Sequence, residues 1–168
     1  MTQKGTTCNK LASNIDLLPT LAEVTGSPLP ENKIDGVSLL PLIRGEKGAC
    51  PRSSFVYYLN KNDMEAVTDG LYKLVFPHRY VTYGAHVPGM DGQPGELEVL
   101  KREKPELYDL RRDPGERYNI IEQKPEVAER LMKIADSYRQ DLGDDLTGVK
   151  GTGRRAPGRL DGKKRVDL

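Results

Sequence analysis

Tryptophan is absent from this sequence, and histidine, cysteine and phenylalanine occur only twice each. His78 and His86 are the sole imidazoles, and neither Cys8 nor Cys50 belongs to a Cys-x-x-Cys pair. That argues against a zinc site, which needs three or four such ligands at close spacing. The cysteines stand 42 positions apart, so they could pair in an oxidising compartment or both be free thiols; spacing leaves both open. No apolar run is long enough to span a bilayer, which argues against membrane insertion. Residues 1–8 lack the apolar core of a secretory signal. Net charge is only +1, so no global field argues for nucleic acid or a membrane surface as partner. A hydrophobic fraction of 36% against 30% charged residues leans polar, as expected of a chain whose surface partly packs on something else or whose end is disordered.

What the chain does have is turn chemistry and short apolar segments. A first helix is predicted from Asp16 as N-cap, with Pro19 in its first turn and Gly26 as its stop. Leu17, Leu18, Leu21 and Val24 form its apolar face. A second short helix repeats the pattern with Ser38, Pro41 and Gly45. Residues 54–59 are continuously apolar and aromatic, which predicts a central strand or one covered on both faces. Residues 65–76 read as a hairpin about a type I′ turn at Asp69-Gly70. Residues 78–104, with glycines at 84, 89, 92 and 95, read as a long loop. In Glu106-Leu107-Tyr108-Asp109-Leu110 a strand follows, stopped by Asp113-Pro114-Gly115, where glycine is expected to take the positive φ of a type II turn. A last helix over 125–142 places Val127, Leu131, Ile134, Tyr138 and Leu142 on one face. The expected fold is α+β: a small antiparallel sheet of about four strands packed on a C-terminal amphipathic helix, with short helices at the N-terminal end.

Four of these segments, in order, resemble the C-terminal part of the formylglycine-dependent, arylsulfatase-like sulfatases of the alkaline phosphatase superfamily. They are Ile15-Asp16-Leu17-Leu18-Pro19-Thr20-Leu21, Asp35-Gly36-Val37-Ser38-Leu39-Leu40-Pro41-Leu42, Gly70-Leu71-Tyr72-Lys73-Leu74-Val75, and the Glu106–Leu110 strand with Asp113-Pro114-Gly115-Glu116 and Asn119. The resemblance divides the chain into 1–46, the end of a large α/β domain and its connection; 47–142, the C-terminal subdomain; and 143–168, a basic glycine-rich tail expected to be disordered. It implies sulfate-ester hydrolysis by a complete enzyme, with calcium and formylglycine supplied elsewhere and an N-terminal sulfatase domain as partner. It also implies a periplasmic, extracellular or lysosomal setting.

The chemistry such an enzyme needs is not in this chain. The nucleophile motif is Cys or Ser-x-Pro-x-Arg, and Cys50-Pro51-Arg52 has the wrong order. Asp109, Asp113 and Glu116 sit in a turn without the spacing of a calcium loop. No catalytic or metal-binding residue and no bound cofactor is therefore assigned. His78 and Arg79 are the substrate-binding candidates, since both leave a strand together with Tyr80, Tyr83 and His86. His78 suits a leaving-group contact and Arg79 an anion. Lys73 reads as a sheet-face lysine. The alternatives are a non-enzymatic binding module or half of a split enzyme, or a fragment of a phosphate or phosphonate ester hydrolase. The split or truncated reading carries its own expectation: Leu17, Leu21, Leu39, Leu40, Leu42 and Ile43 exposed where a large domain is missing. Seven Lys/Arg in 143–168 raise polyanion binding, but no aromatics interleave them and a solvated tail is the simpler reading.

Overall fold

The computed structural model describes residues 5–84, 86–87 and 89–155. It is α+β, as expected. Strands β1 (Phe55–Leu59), β2 (Asp63–Thr68), β3 (Tyr72–Val75) and β6 (Glu106–Asp109) form an antiparallel sheet in the order β1-β2-β3-β6. Strands β4 (His78–Thr82) and β5 (Glu98–Arg102) form a separate two-stranded ribbon. Helices α1 (Leu17–Thr25) and α2 (Leu40–Ile43) precede the sheet, and α3 (Pro125–Leu142) follows it.

Helix α3 covers one face of the sheet. Period-2 alternation sends Val56, Val67, Leu74 and Leu107 toward it, and the helix answers with Leu131 and Ala135, both fully buried. Val127, Ile134 and Tyr138 of the predicted stripe pack around them. Ala135 was not in that stripe; its small side chain lets the helix approach the strands closely. On the opposite face Ala66, Val75 and Tyr108 make a smaller cluster. In the β1–β2 register Tyr57 opposes Ala66 and Tyr58 opposes Met64, which leaves Glu65 as the extra residue of a bulge. The bulge turns both Met64 and Val67 toward the helix.

Several expectations need correction. The aromatic strand at 55–59 is not central. It is an edge strand, with Tyr57 and Leu59 exposed. A continuous apolar run does not distinguish a strand covered by its own sheet from one covered by another body. The hairpin turn is centred on Gly70-Leu71, because Asp69 pairs with Tyr72 through its backbone. Gly70 alone takes positive φ, at 84°, the pattern of glycine first in a II′ turn. The Asp69 carboxylate accepts the Leu71 and Tyr72 N–H groups instead of occupying the turn. At the later turn Glu116, not Gly115, takes positive φ, since Asp113 Oδ2 gathers the N–H groups of Arg117 and Tyr118. The stretch 78–104 is no plain loop; its two ends pair from His78↔Arg102 to Thr82↔Glu98.

The region assigned to a disordered tail folds back in its described part. Asp144 is fully buried, accepts Met64 N–H and the Arg139 side chain, and its neighbourhood closes through a bridge to Val149. Tyr58 donates to Gly143 O at 2.8 Å. Residues 156–168 of that tail lie outside the described residues.

Helix α1 runs as predicted and ends at Gly26 with φ 68°. Asp16, however, does not cap it. Its carboxylate, fully buried, accepts from the Ser13 and Val37 N–H groups and from both Nε and Nη2 of Arg52. Gly36 makes this possible: a Cβ there would sit 2.1 Å from Ile15 O. Helix α2 begins at Leu40, one residue later than expected, and Ser38 Oγ accepts the Leu40 N–H.

Candidate functional site

Both substrate-binding candidates fall on β4, at the root of the ribbon. Adjacent strand residues point to opposite faces, so the sheet separates His78 from Arg79. His78 is 8% exposed. Its Nδ1 lies 2.7 Å from Phe76 O, an atom that can only accept, so Nδ1 carries a proton. Its Nε2 faces Glu65 Oε2 at 3.4 Å, and the other Glu65 oxygen is buried without a hydrogen-bond partner. The bulge in β2 is what delivers Glu65 to this position.

Around His78 the ribbon and sheet form a connected polar network. Arg102, its register partner on β5, donates through Nε to Glu106 Oε2 at 2.5 Å. Tyr108 donates to the same oxygen at 2.5 Å. Burial, and then this bond to Glu106, push the Tyr108 phenol up to about 12. The Arg102 guanidinium stacks 4.9 Å from the Tyr80 ring centre, and Tyr80 tilts against His78 at 5.9 Å. This network can fix the angle at which the ribbon leaves the sheet. It leaves little room for His78 to meet a ligand directly.

Arg79 is on the other face and exposed, directly opposite Lys101. Like charges opposed across a ladder are unfavourable. Here Lys101 is offset by Glu103 at 2.9 Å, while Arg79 is left toward solvent. Such a pair can bind an anion. Farther along the ribbon His86 sits between Glu96 at 3.4 Å and Glu98 at 3.0 Å. Sequence reasoning missed Glu65, which faces His78, and the Arg102–Glu106–Tyr108 group at the root of the ribbon.

The remaining candidates take structural positions. Cys50 is exposed, its Sγ donates to Arg52 O at 3.5 Å, and Arg52 is consumed by Asp16, so neither fits a nucleophile motif. Both cysteines are free thiols. Lys73 pairs with Glu116 at 2.7 Å and lies over the Tyr57 ring. Asp109 accepts N–H groups of the following turn. Among the described residues, no group of three or more His, Cys, Asp or Glu side chains is placed to hold a metal ion. No helix among them is long and apolar enough to cross a membrane.

Comparison with known proteins bears on the same elements. Residues 50–151 match the model of the C-terminal region of aryl-sulfatase. The chain is 37% identical to human arylsulfatase A over 137 residues, covering 75% of this chain and 26% of that protein. It is 35% identical to an arylsulfatase of Hemicentrotus pulcherrimus over 125 residues, covering 67% and 22%. A solved structure from work on glycosaminoglycan metabolism by Bacteroides thetaiotaomicron superposes with TM-score 0.53 at 27% identity, covering 74% of this chain and 24% of that one. The chain thus spans about a quarter of the length of the curated relatives it matches. With the sheet, the ribbon and helix α3 all inside the matched region, the chain belongs to the sulfatase family and corresponds to its C-terminal part.

Proposed function

We propose that this chain serves as the C-terminal subdomain of an enzyme that hydrolyses sulfate esters. In that assembly residues 1–46 complete the large α/β domain, 47–142 form the subdomain, and the β4–β5 ribbon walls one side of the active site. The observation that carries this reading is the match of residues 50–151 to the C-terminal region of aryl-sulfatase. The complete enzyme would draw a formylglycine nucleophile and calcium from residues outside this chain. None of the described side chains fits either group: Cys50 lacks the motif, and no acidic cluster is arranged for a cation. The family setting is periplasmic, extracellular or lysosomal.

Within that enzyme, Arg79 presents a cation to an anionic substrate. His78 acts through position, since its ring is buried between Phe76 O and Glu65 and sets the root of the ribbon. By itself the chain is expected to be inactive. Incubation of the purified chain with an aryl sulfate should give no turnover above that of the Cys50→Ala variant. Turnover abolished by that substitution would overturn the reading.

A further inference from the structure

Glu65 and His78 both titrate, and both are largely out of water, with side chains 16% and 6% exposed. They come from strands that do not pair with each other. Glu65 is the bulge residue of β2, and His78 opens β4. Phe76 holds them face to face. Its N–H donates to Glu65 O at 2.8 Å, and its carbonyl accepts His78 Nδ1–H at 2.7 Å. The main chain therefore keeps the carboxyl group and the ring together whatever charge they carry.

Counting protons shows what this enforces. Nδ1–H is committed to Phe76 O, so only Nε2 is left to meet Glu65 Oε2, at 3.4 Å. One proton in that gap satisfies both atoms, either as imidazolium against carboxylate or as carboxylic acid donating to neutral imidazole. Without it, the Nε2 lone pair faces a carboxylate whose other oxygen, Oε1, is already buried with no hydrogen-bond partner. A buried charge left unpaired is strongly unfavourable. The charged groups around the pair are occupied elsewhere. From β5, Arg102 donates to Glu106, which also accepts from Tyr108 of β6. From α3, Arg139 stacks 4.4 Å from the Phe76 ring centre and bonds Asp136 and Asp144. From β4, Tyr80 meets His78 with its ring. Arg102 stays charged throughout, and burial and then the Glu106 bond push the Tyr108 phenol up to about 12. Neither changes state where an imidazole does.

The ribbon has little else to hold it. It is a sheet of two strands only, with Val81 and Val99 exposed. We propose that one proton shared between Glu65 and His78 fastens the β4–β5 ribbon to the main sheet, which makes the ribbon root a pH-sensitive hinge. The proton belongs to the pair and not to either residue. Below the pair's titration it is present and the root is closed. As pH rises through that titration the proton leaves, carboxylate and ring separate, and the ribbon comes free. The hinge belongs to the chain itself and does not depend on the reaction of a complete enzyme.

The test uses the isotope-labelled full chain carrying His86→Gln, which leaves His78 as its sole imidazole. Ring nitrogen shifts and backbone order parameters are followed by NMR from about pH 5 to about pH 9. Nδ1 should keep its proton across the range while Nε2 titrates. Order parameters of residues 79–82 and 98–101 should fall from about 0.85 to below about 0.6 at the same midpoint, and those of Val67 and Leu74 should stay high. In Glu65→Gln the amide can donate to Nε2 or accept from it, so the ribbon should stay ordered throughout. Ribbon order that ignores the His78 titration overturns the hinge, as does a Glu65→Gln ribbon that loosens at the parent's midpoint. A His78 ring that does not titrate in the range also overturns it. So does loss of order at Val67 and Leu74 together with the ribbon, because the whole sheet is then unfolding. The parent's titration reads the hinge with Glu65 in place, so the outcome stands even where Glu65→Gln does not fold.

Discussion

Asp16 and Arg52 form a buried, two-pronged ion pair that ties α1 to the segment entering β1. Burial alone would raise the Asp16 carboxyl, but Arg52 and the Val37 and Ser13 N–H groups outweigh it and hold the carboxyl below its ordinary value. Removing one partner leaves the other charge buried and alone. Arg52→Ala is expected to cost about 3–5 kcal/mol, measured by urea denaturation followed by circular dichroism. A cost under about 1 kcal/mol would mean the pair behaves as a surface contact. The same depression fixes a pH dependence. Asp16 is ionised more readily folded than unfolded, so its contribution is complete above the unfolded value near 3.8 and is lost as pH falls through the lower folded one. Asp69 acts in the same direction: burial raises it, while the Tyr72 N–H, Arg130 and the Leu71 N–H lower it further. Stability should therefore fall with acid below about pH 4, and the slope should shrink in Asp16→Asn/Asp69→Asn relative to the parent.

At the scale of elements, the sheet and the ribbon should behave differently. Leu131 and Ala135 of α3 close the main core against Leu74, Val67 and Leu107. Leu131→Ala should cost about 2–5 kcal/mol, by the same denaturation. The ribbon has no such backing, and Val81 and Val99, opposed in register, are each 58% exposed. Two strands without a third or a helix are marginal in water. Amide hydrogen exchange should then protect Val67 and Leu74 near the global limit and leave Val81 and Val99 close to unprotected. Equal protection would indicate that the ribbon is stabilised by more than its root at His78, Arg102 and Glu106. Helix α3 was legible to the residue, because its period, Pro125 at the start and Gly143 at the end agree. The ribbon was not, because its strands are joined by a glycine-rich segment and share no buried face whose periodicity would mark them.

For the whole molecule, the arrangement predicts a division of labour. Arg79→Ala, introduced into an assembled enzyme, should raise KM several-fold with little change in kcat, as removal of a uniform binding contact does. A fall in kcat with KM unchanged would instead put Arg79 in the transition state. The edge position of β1 and the outward face of α1 belong to the same picture. The apolar run of β1 reads as a central or covered strand and is an edge with Tyr57 and Leu59 exposed, whereas the exposure of Leu17 and Leu21 on α1 is what a missing large domain leads one to expect.

The α+β class, the short helices, the 125–142 helix and the family were all readable from the chain's residues, because each rests on local periodicity, caps or contiguous motifs. That the nucleophile motif is missing was readable there too, since it depends only on residue order around Cys50. Tertiary structure alone decided which apolar faces meet each other, that Asp16 serves Arg52 before its helix, and that His78 turns inward to Glu65 while Arg79 turns out. Those outcomes depend on strand register, on one bulged residue and on contacts between residues far apart in the chain, and nearest-neighbour chemistry carries no record of them.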